Sequence, residues 1–272
     1  MVVSNILVSL LFAASYHAQL NPLPGPRVVH KKGVTNQAVE DRVDQYWQRA
    51  QEEVYKSAEE LRAQGRREFR RGNPTHVFIR GDLRRKLLAL TFDDGPHPGY
   101  TPQLLAILKK ENVKATFFVI GFMAERYPDL IKSEFADGHQ IANHTFSHVT
   151  LTHLPLDEIR TEYRACDDVI QKITGHRPAY CRPPGGDYDS QVVKGASDES
   201  LVTVLWTDDP GDYASPGTGL IESSTLRSLS NGGIVLLHDG TAQTLQVLPQ
   251  IIDHAKKEGF RFVTVDELYR QQ

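Results

Sequence analysis

The chain of 272 residues carries 31 Lys and Arg against 34 Asp and Glu, a formal charge of −3, with 40% of residues hydrophobic. That apolar content supports a sizeable core, and the balanced charge excludes a basic nucleic-acid binder or an acidic disordered chain. Only two cysteines occur, Cys166 in a predicted helix and Cys181 beside a predicted strand. They exclude a disulfide scaffold or a multi-cysteine zinc module; they could form one bridge, and their placement favours two buried free thiols.

Residues Ile6 to Ser15 form an apolar stretch of ten. A bilayer span needs about 20 residues, so no stable membrane span is expected. The stretch has the length of a secretory h-region, and Ala13-Ala14-Ser15 offers small residues for cleavage, although Met1 to Asn5 carries no Lys or Arg. A signal-like segment over 1–18 and a proline-rich linker over 19–35 are expected. They imply a secreted, periplasmic or cell-wall-associated protein. A helical extension over 36–80 follows, with apolar residues at Val39, Val43, Tyr46, Trp47, Ala50, Val54, Ala58 and Leu61. This rhythm predicts one helix from Asn36 to Arg71, capped by Asn36, ended by Gly65 or Gly72, and laid on the main domain. It would either lengthen a groove or cover the floor of the domain.

From 81 to 272 the pattern is that of one domain, with β-rich runs alternating with helical stretches. The predicted strands are Leu87–Phe92, Ala115–Ile120, His139–Ala142, Ala179–Arg182, Val202–Trp206, Ile234–Leu237 and Phe260–Val265. The predicted helices are Pro102–Glu111, Glu125–Asp137, Leu156–Thr174, Gln191–Ser197, Leu220–Ser230 and Thr244–Glu258. Thr101-Pro102 reads as an N-cap followed by a first-turn proline, and Gly175 as a helix end. Such alternation makes right-handed βαβ units and a parallel sheet, either open and doubly wound or closed as a barrel. Both fold types bind ligands at the carboxyl ends of the strands.

Those strand ends are chemically loaded. The first predicted strand runs into Asp93-Asp94-Gly95-Pro96, strong turn chemistry that also places two carboxylates side by side. The third runs into His144-Thr145-Phe146-Ser147-His148, where a helical turn would put both imidazoles on one face. Two histidines and a carboxylate leave a divalent ion coordinatively open, a catalytic arrangement suited to Zn2+, with Co2+, Ni2+ or Mn2+ as alternatives. The second aspartate of the pair can then act as base. The fourth strand ends Arg182-Pro183-Pro184-Gly185-Gly186; Arg182 can hold a carboxylate through two parallel bonds, and the glycines let a ligand approach the backbone. The fifth ends Asp208-Asp209-Pro210-Gly211-Asp212-Tyr213 and the sixth Leu236-Leu237-His238-Asp239. Singly, each reads equally well as a polar turn or a core histidine.

Together the ordered segments TFDDG (Thr91–Gly95), HTFSH (His144–His148), RPPGG (Arg182–Gly186), DPGDY (Asp209–Tyr213) and LLHD (Leu236–Asp239) resemble the polysaccharide deacetylases of carbohydrate esterase family 4, the NodB homology domain. The resemblance spans about Lys86 to Leu268. It implies an α/β fold, a distorted seven-stranded (β/α) barrel, here with an N-terminal helical extension. It also implies a metal-dependent hydrolase acting on an acetylated polysaccharide. By position, Asp94, His144 and His148 resemble the metal ligands, Asp93 the general base and Arg182 the residue that holds it. His238 resembles the general acid, with Asp212 tuning it, while Leu236 and Tyr213 would line the pocket of the acetyl methyl. Gly185 stands where the family often has an aromatic residue whose backbone N–H serves the oxyanion; glycine keeps that N–H and loses the aromatic wall. Tyr213 stands where tryptophan is frequent. The implied reaction is N-deacetylation of N-acetylglucosamine units in peptidoglycan or chitin. An O-acetyl xylan esterase and a sugar-binding relative without catalysis are the alternatives.

Overall fold

The computed structural model describes residues 45–46, 58–70 and 77–271. The expected signal-like segment, the linker and the Asn36 cap lie outside the described residues. Among those described, no helix is long and apolar enough to cross a membrane.

Seven strands form one parallel sheet in the spatial order β1-β6-β5-β4-β3-β2-β7. They are β1 (Val77–Phe78), β2 (Leu87–Asp93), β3 (Thr116–Val119), β4 (Gln140–Asn143), β5 (Tyr180–Cys181), β6 (Val202–Val204) and β7 (Gly233–His238). A two-residue β8 (Arg261–Phe262) pairs with the start of β2, on the edge that β3 takes further along. The sheet curls: beyond β6 the chain bridges to β7 at Asp208 and Val235. This is the distorted (β/α) barrel that the resemblance implied. All seven residues of β2 and all six of β7 are buried, as expected for strands covered on both faces.

Helices pack outside: α1 (Ala58–Arg70), α2 (Thr101–Lys110), α3 (Gly121–Arg126), α4 (Pro128–Ala136), α5 (Leu156–Thr174), α6 (Ser190–Asp198), α7 (Thr218–Ser228), α8 (Ala242–Lys257) and α9 (Val265–Tyr269). The boundaries of α5 are those predicted, and Gly175 ends it at φ 78. Other expectations need correction. The helix predicted over Glu125–Asp137 is two helices, because Pro128 has no N–H and disfavours helical geometry at Tyr127 (φ −125, ψ 56). Thr101 is not a cap: Tyr100 takes that place, while the Thr101 hydroxyl accepts from the His97 N–H and donates to Asp239. Gly65 lies inside α1 and does not end it. The last predicted strand shrinks to β8, because Thr264 and Glu267 form a capping box that starts α9 within it. Cys166 and Cys181 are both buried and free.

Register is what assembles the site. Asp93 pairs with His238 across β2 and β7, and with Phe118 across β2 and β3. Asn143, the last residue of β4, pairs with Cys181, the last of β5. The carboxyl ends of neighbouring strands therefore stand at one level, and the residues that follow them share one rim.

Candidate active site

Successive side chains on a strand point to opposite faces, so Asp93 and Asp94 could not both face the rim if β2 simply continued. Asp94 instead leaves the strand at φ 73, in the left-handed region that aspartate tolerates better than most residues. Asp94 Oδ1 then lies 3.4 Å from His144 Nε2 and 3.3 Å from His148 Nε2. Asp93 Oδ2 lies 3.7 Å from the same nitrogen of His144.

The two histidines meet by a different route from the one expected. Residues 144–148 make no helical turn; the chain bends, with Thr145 at φ 65 and His148 at φ 52. Neighbouring polar groups hold the bend. The Thr145 N–H donates to Asn143 Oδ1 (2.7 Å) and the His148 N–H to Thr145 Oγ1 (3.1 Å). Phe146 and Ser147 both donate their N–H to Glu162 Oε2, at 3.1 and 2.7 Å. Asn143 is itself held by Asp167, whose Oδ1 accepts from its Nδ2 at 2.6 Å. Sequence reasoning passed over Asn143, Glu162 and Asp167. A signal was present: Glu162 and Asp167 fall on the apolar stripe of α5 with Ile159, Tyr163, Cys166 and Ile170, where a charge needs a buried partner.

His144 Nδ1 sits 2.8 Å from the Arg182 carbonyl. A carbonyl only accepts, so that nitrogen carries the proton and Nε2 presents a lone pair. His144 Nε2 and Asp93 Oδ2 are buried without a hydrogen bond. Acceptors facing one another in a dry site call for a cation. Asp94, His144 and His148 offer three ligand atoms within 4.8 Å of one another. This donor set fits a divalent ion, and the backbone bond to His144 is the usual outer support of such a ligand. Burial alone would raise the Asp94 pKa, but positive charge on the neighbouring His148 holds it well below the usual carboxylate range.

Arg182 is fully buried and reaches Asp93 Oδ1 with Nη1 at 2.6 Å. The contact is single rather than the expected double one, because the remaining donors are engaged elsewhere. Nη1 also donates to Thr91 Oγ1 (2.9 Å), while Nε and Nη2 reach the Val204 and Leu205 carbonyls, both at 3.3 Å. The guanidinium lies 4.1 Å from the Phe118 ring centre and 5.4 Å from that of Trp206. Asp93 is thus tied by one oxygen and presents the other to the site.

On β7, in register with Asp93, His238 Nδ1 is 2.7 Å from Asp212 Oδ1, and the His238 N–H donates to Asp212 Oδ2 at 2.9 Å. Thr244 Oγ1 donates to the same oxygen at 2.5 Å. Burial opposes the charged imidazole, but Asp212, with Asp94 and Asp93 nearby, outweighs it and pushes the His238 pKa from 6.5 up to about 10. Because the folded value exceeds the unfolded one, the stabilisation by this pair is complete below about pH 6.5 and is lost as pH rises towards about 10. In metal-free protein the His238 ring is therefore expected to stay protonated through neutral pH in an NMR titration. A midpoint near that of free histidine would refute the pairing.

A cleft of about 300 Å3 opens beside these groups, lined by Asp94, His97, Tyr100, Tyr213, His238 and Asp239 among others. Tyr213 stands edge-on to His238, ring centres 5.4 Å apart. Leu236 does not line this cleft; it is buried in the barrel core two residues before His238 on the same face. Gly185 is also outside the lining, at φ 60 with open space around the position of a Cβ. Its neighbour Gly186 is enclosed: a Cβ there would meet Trp206 at 2.5 Å and Leu61 at 3.2 Å. His97 and Tyr100, ring centres 4.6 Å apart, were not singled out from the sequence, although they directly follow the aspartate turn.

Residues 80–204 match the family model described as polysaccharide deacetylase. A peptidoglycan-N-acetylglucosamine deacetylase of Bacillus cereus is 40% identical over 190 residues, which are 68% of this chain and 89% of that protein. The chain belongs to the polysaccharide deacetylase family. Among solved members, the Bc1960 peptidoglycan N-acetylglucosamine deacetylase superposes with a TM-score of 0.71 at 32% identity, covering 75% of this chain and 98% of that one. BA3943 of Bacillus anthracis, described as a pseudoenzyme of carbohydrate esterase family 4, superposes with a TM-score of 0.69 at 30% identity, covering 72% of this chain and 69% of that one. Family membership thus goes with active and inactive relatives alike, and the residues of the rim have to carry the argument for activity in this polysaccharide deacetylase.

Proposed function

We propose that this chain is a metal-dependent N-deacetylase acting on N-acetylglucosamine units of peptidoglycan or a chitin-type glycan outside the cytoplasm. The observation that carries the reading is the pair of buried ionisable groups, each held by a charged partner, beside one ligand cluster. Asp93 is held by Arg182, His238 is held by Asp212, and Asp94, His144 and His148 gather on the same rim. Relatives that are peptidoglycan deacetylases favour peptidoglycan, and the apolar stretch at Ile6 to Ser15 favours export.

The cluster suits zinc, with cobalt, nickel or manganese as substitutes; a bound divalent ion would polarise the acetyl carbonyl and make its water more acidic. Asp93 accepts the proton of the attacking water through Oδ2, while Arg182 keeps Oδ1 engaged, so the carboxylate cannot swing away. The new bond joins the water oxygen to the acetyl carbon. As the carbon–nitrogen bond breaks, His238 gives its proton to the departing nitrogen, which would otherwise leave as an amide anion. Asp212 holds the imidazole at Nδ1, so Nε2 is the nitrogen that donates. The products are acetate and a glucosamine amine. Tyr213 walls the cleft beside His238.

Purified protein is expected to release acetate from N-acetylglucosamine oligomers, to lose that activity on chelation, and to recover it with zinc or cobalt. His144→Ala is expected to lower the rate by at least about a hundredfold, since it removes a ligand whose outer support alone is worth 10- to 100-fold. Turnover indifferent to both chelator and His144→Ala would overturn the metal reading. Absence of turnover on every acetylated glycan, with zinc bound, would place the chain with the pseudoenzymes.

A further inference from the structure

Three described residues of the N-terminal extension, Tyr46, Leu61 and Gln64, meet the rim or the loops beside it. Tyr46 is buried, only 6% exposed, and stands edge-on to His148, ring centres 5.3 Å apart at 82°. It also stands edge-on to Phe122 of α3, at 5.9 Å and 76°. Fifteen residues on, Leu61 of α1 is buried and abuts Gly186 and the core around Trp206. Gln64 of the same helix donates to the Tyr188 carbonyl at 2.6 Å. These three contacts lie along one side of the rim, from the second histidine to the loop that follows β5.

The contact at His148 matters most. His144 is oriented by a backbone bond at Nδ1 and a strand end behind it. His148 lies further out, on the left-handed residue that closes the bend, and its ring is enclosed by His144 (ring centres 4.8 Å apart) and Tyr46. An edge-to-face aromatic contact fixes a ring plane as well as a position. Resting on the metal reading of the cluster above, we propose that Tyr46 is a positioning residue for the ligand His148. The N-terminal segment would then be a component of the metal centre rather than a tether beside it.

The test is zinc affinity by chelator competition in the full chain, for wild type, Tyr46→Ala and Tyr46→Phe, alongside the melting temperature of each metal-free protein. Tyr46→Ala is expected to weaken zinc binding about tenfold, the lower end of the range for an outer support. Tyr46→Phe keeps the ring and is expected to restore wild-type affinity. Metal-free Tyr46→Phe should melt like wild type, while Tyr46→Ala empties a buried position and should melt lower, so affinity is read well below its melting range. In the cobalt-substituted proteins, the visible absorption bands should shift for Tyr46→Ala and not for Tyr46→Phe. Unchanged affinity in Tyr46→Ala overturns the proposal, as does a Tyr46→Phe variant as weak as Tyr46→Ala. A loss of affinity with the cobalt bands unchanged also overturns it, since Tyr46 would then be only a packing residue. Wild type that binds no zinc refutes the metal reading itself, a result distinct from all of these.

Discussion

Arg182→Met is expected to abolish deacetylation and to destabilise the fold by about 3–5 kcal/mol, the usual result of leaving a buried charge without its partner. The reason is specific to this site. Asp93 is buried, one of its oxygens accepts from Arg182 at 2.6 Å, and the other has no hydrogen bond. Methionine fills much of the volume, so the cost is electrostatic. The double variant Arg182→Met/Asp93→Asn should therefore regain most of the lost stability while staying inactive, because the charge is gone and so is the base. Urea unfolding of the single and double variants, with acetate release as the second readout, separates the two effects. If the double variant is as unstable as the single one, the loss came from packing against Phe118 and Trp206 and not from the ion pair. Lysine is not a conservative replacement. A compact ammonium cannot meet Asp93, Thr91 and the Val204 and Leu205 carbonyls together, as the planar guanidinium does.

His238→Ala carries the second large effect. General acid catalysis contributes about 10²- to 10⁴-fold, and a loss in that range in kcat is expected on N-acetylglucosamine oligomers. The loss should be markedly smaller on an O-acetylated substrate such as acetylated xylan, because an alkoxide leaves far more readily than an amide anion. That comparison also separates the N-deacetylase from the O-acetyl esterase reading. A wild type that prefers acetylated xylan, with a small His238→Ala effect, would favour the esterase. The side chain touches Asp212 and the edge of Tyr213, so its removal should leave KM closer to wild type than kcat.

Much of the polysaccharide deacetylase core was legible in the chain because its signals are local. The run Leu87 to Phe92 is apolar throughout, which marks a strand buried on both faces. The stripe of α5 and Gly175 after it delimit a helix without reference to anything distant. Punctuation was misread where two local preferences compete, as at Pro128, or where a cap lies inside an apolar run, as at Thr264. The site residues could be named because they follow strands, and strand ends share a rim in any parallel α/β fold.

How those residues meet is another matter. The four-residue spacing would bring His144 and His148 together on a helical turn; the structure brings them together through a bend clamped by Glu162, sixteen residues from Phe146. Nor could spacing tell that Asp94 would turn left-handed and so face the same side as Asp93, or that Arg182 would divide its donors among four partners. The place of Tyr46 against His148 is the extreme case. Hydrophobic spacing states that a face is buried and is silent on what buries it. The sequence by itself determined the alternation of strands and helices and the chemical kinds of group at the rim. Only the tertiary structure decided their distances, tautomers and supports, because those arise from partners far apart in the chain whose identity no local pattern encodes.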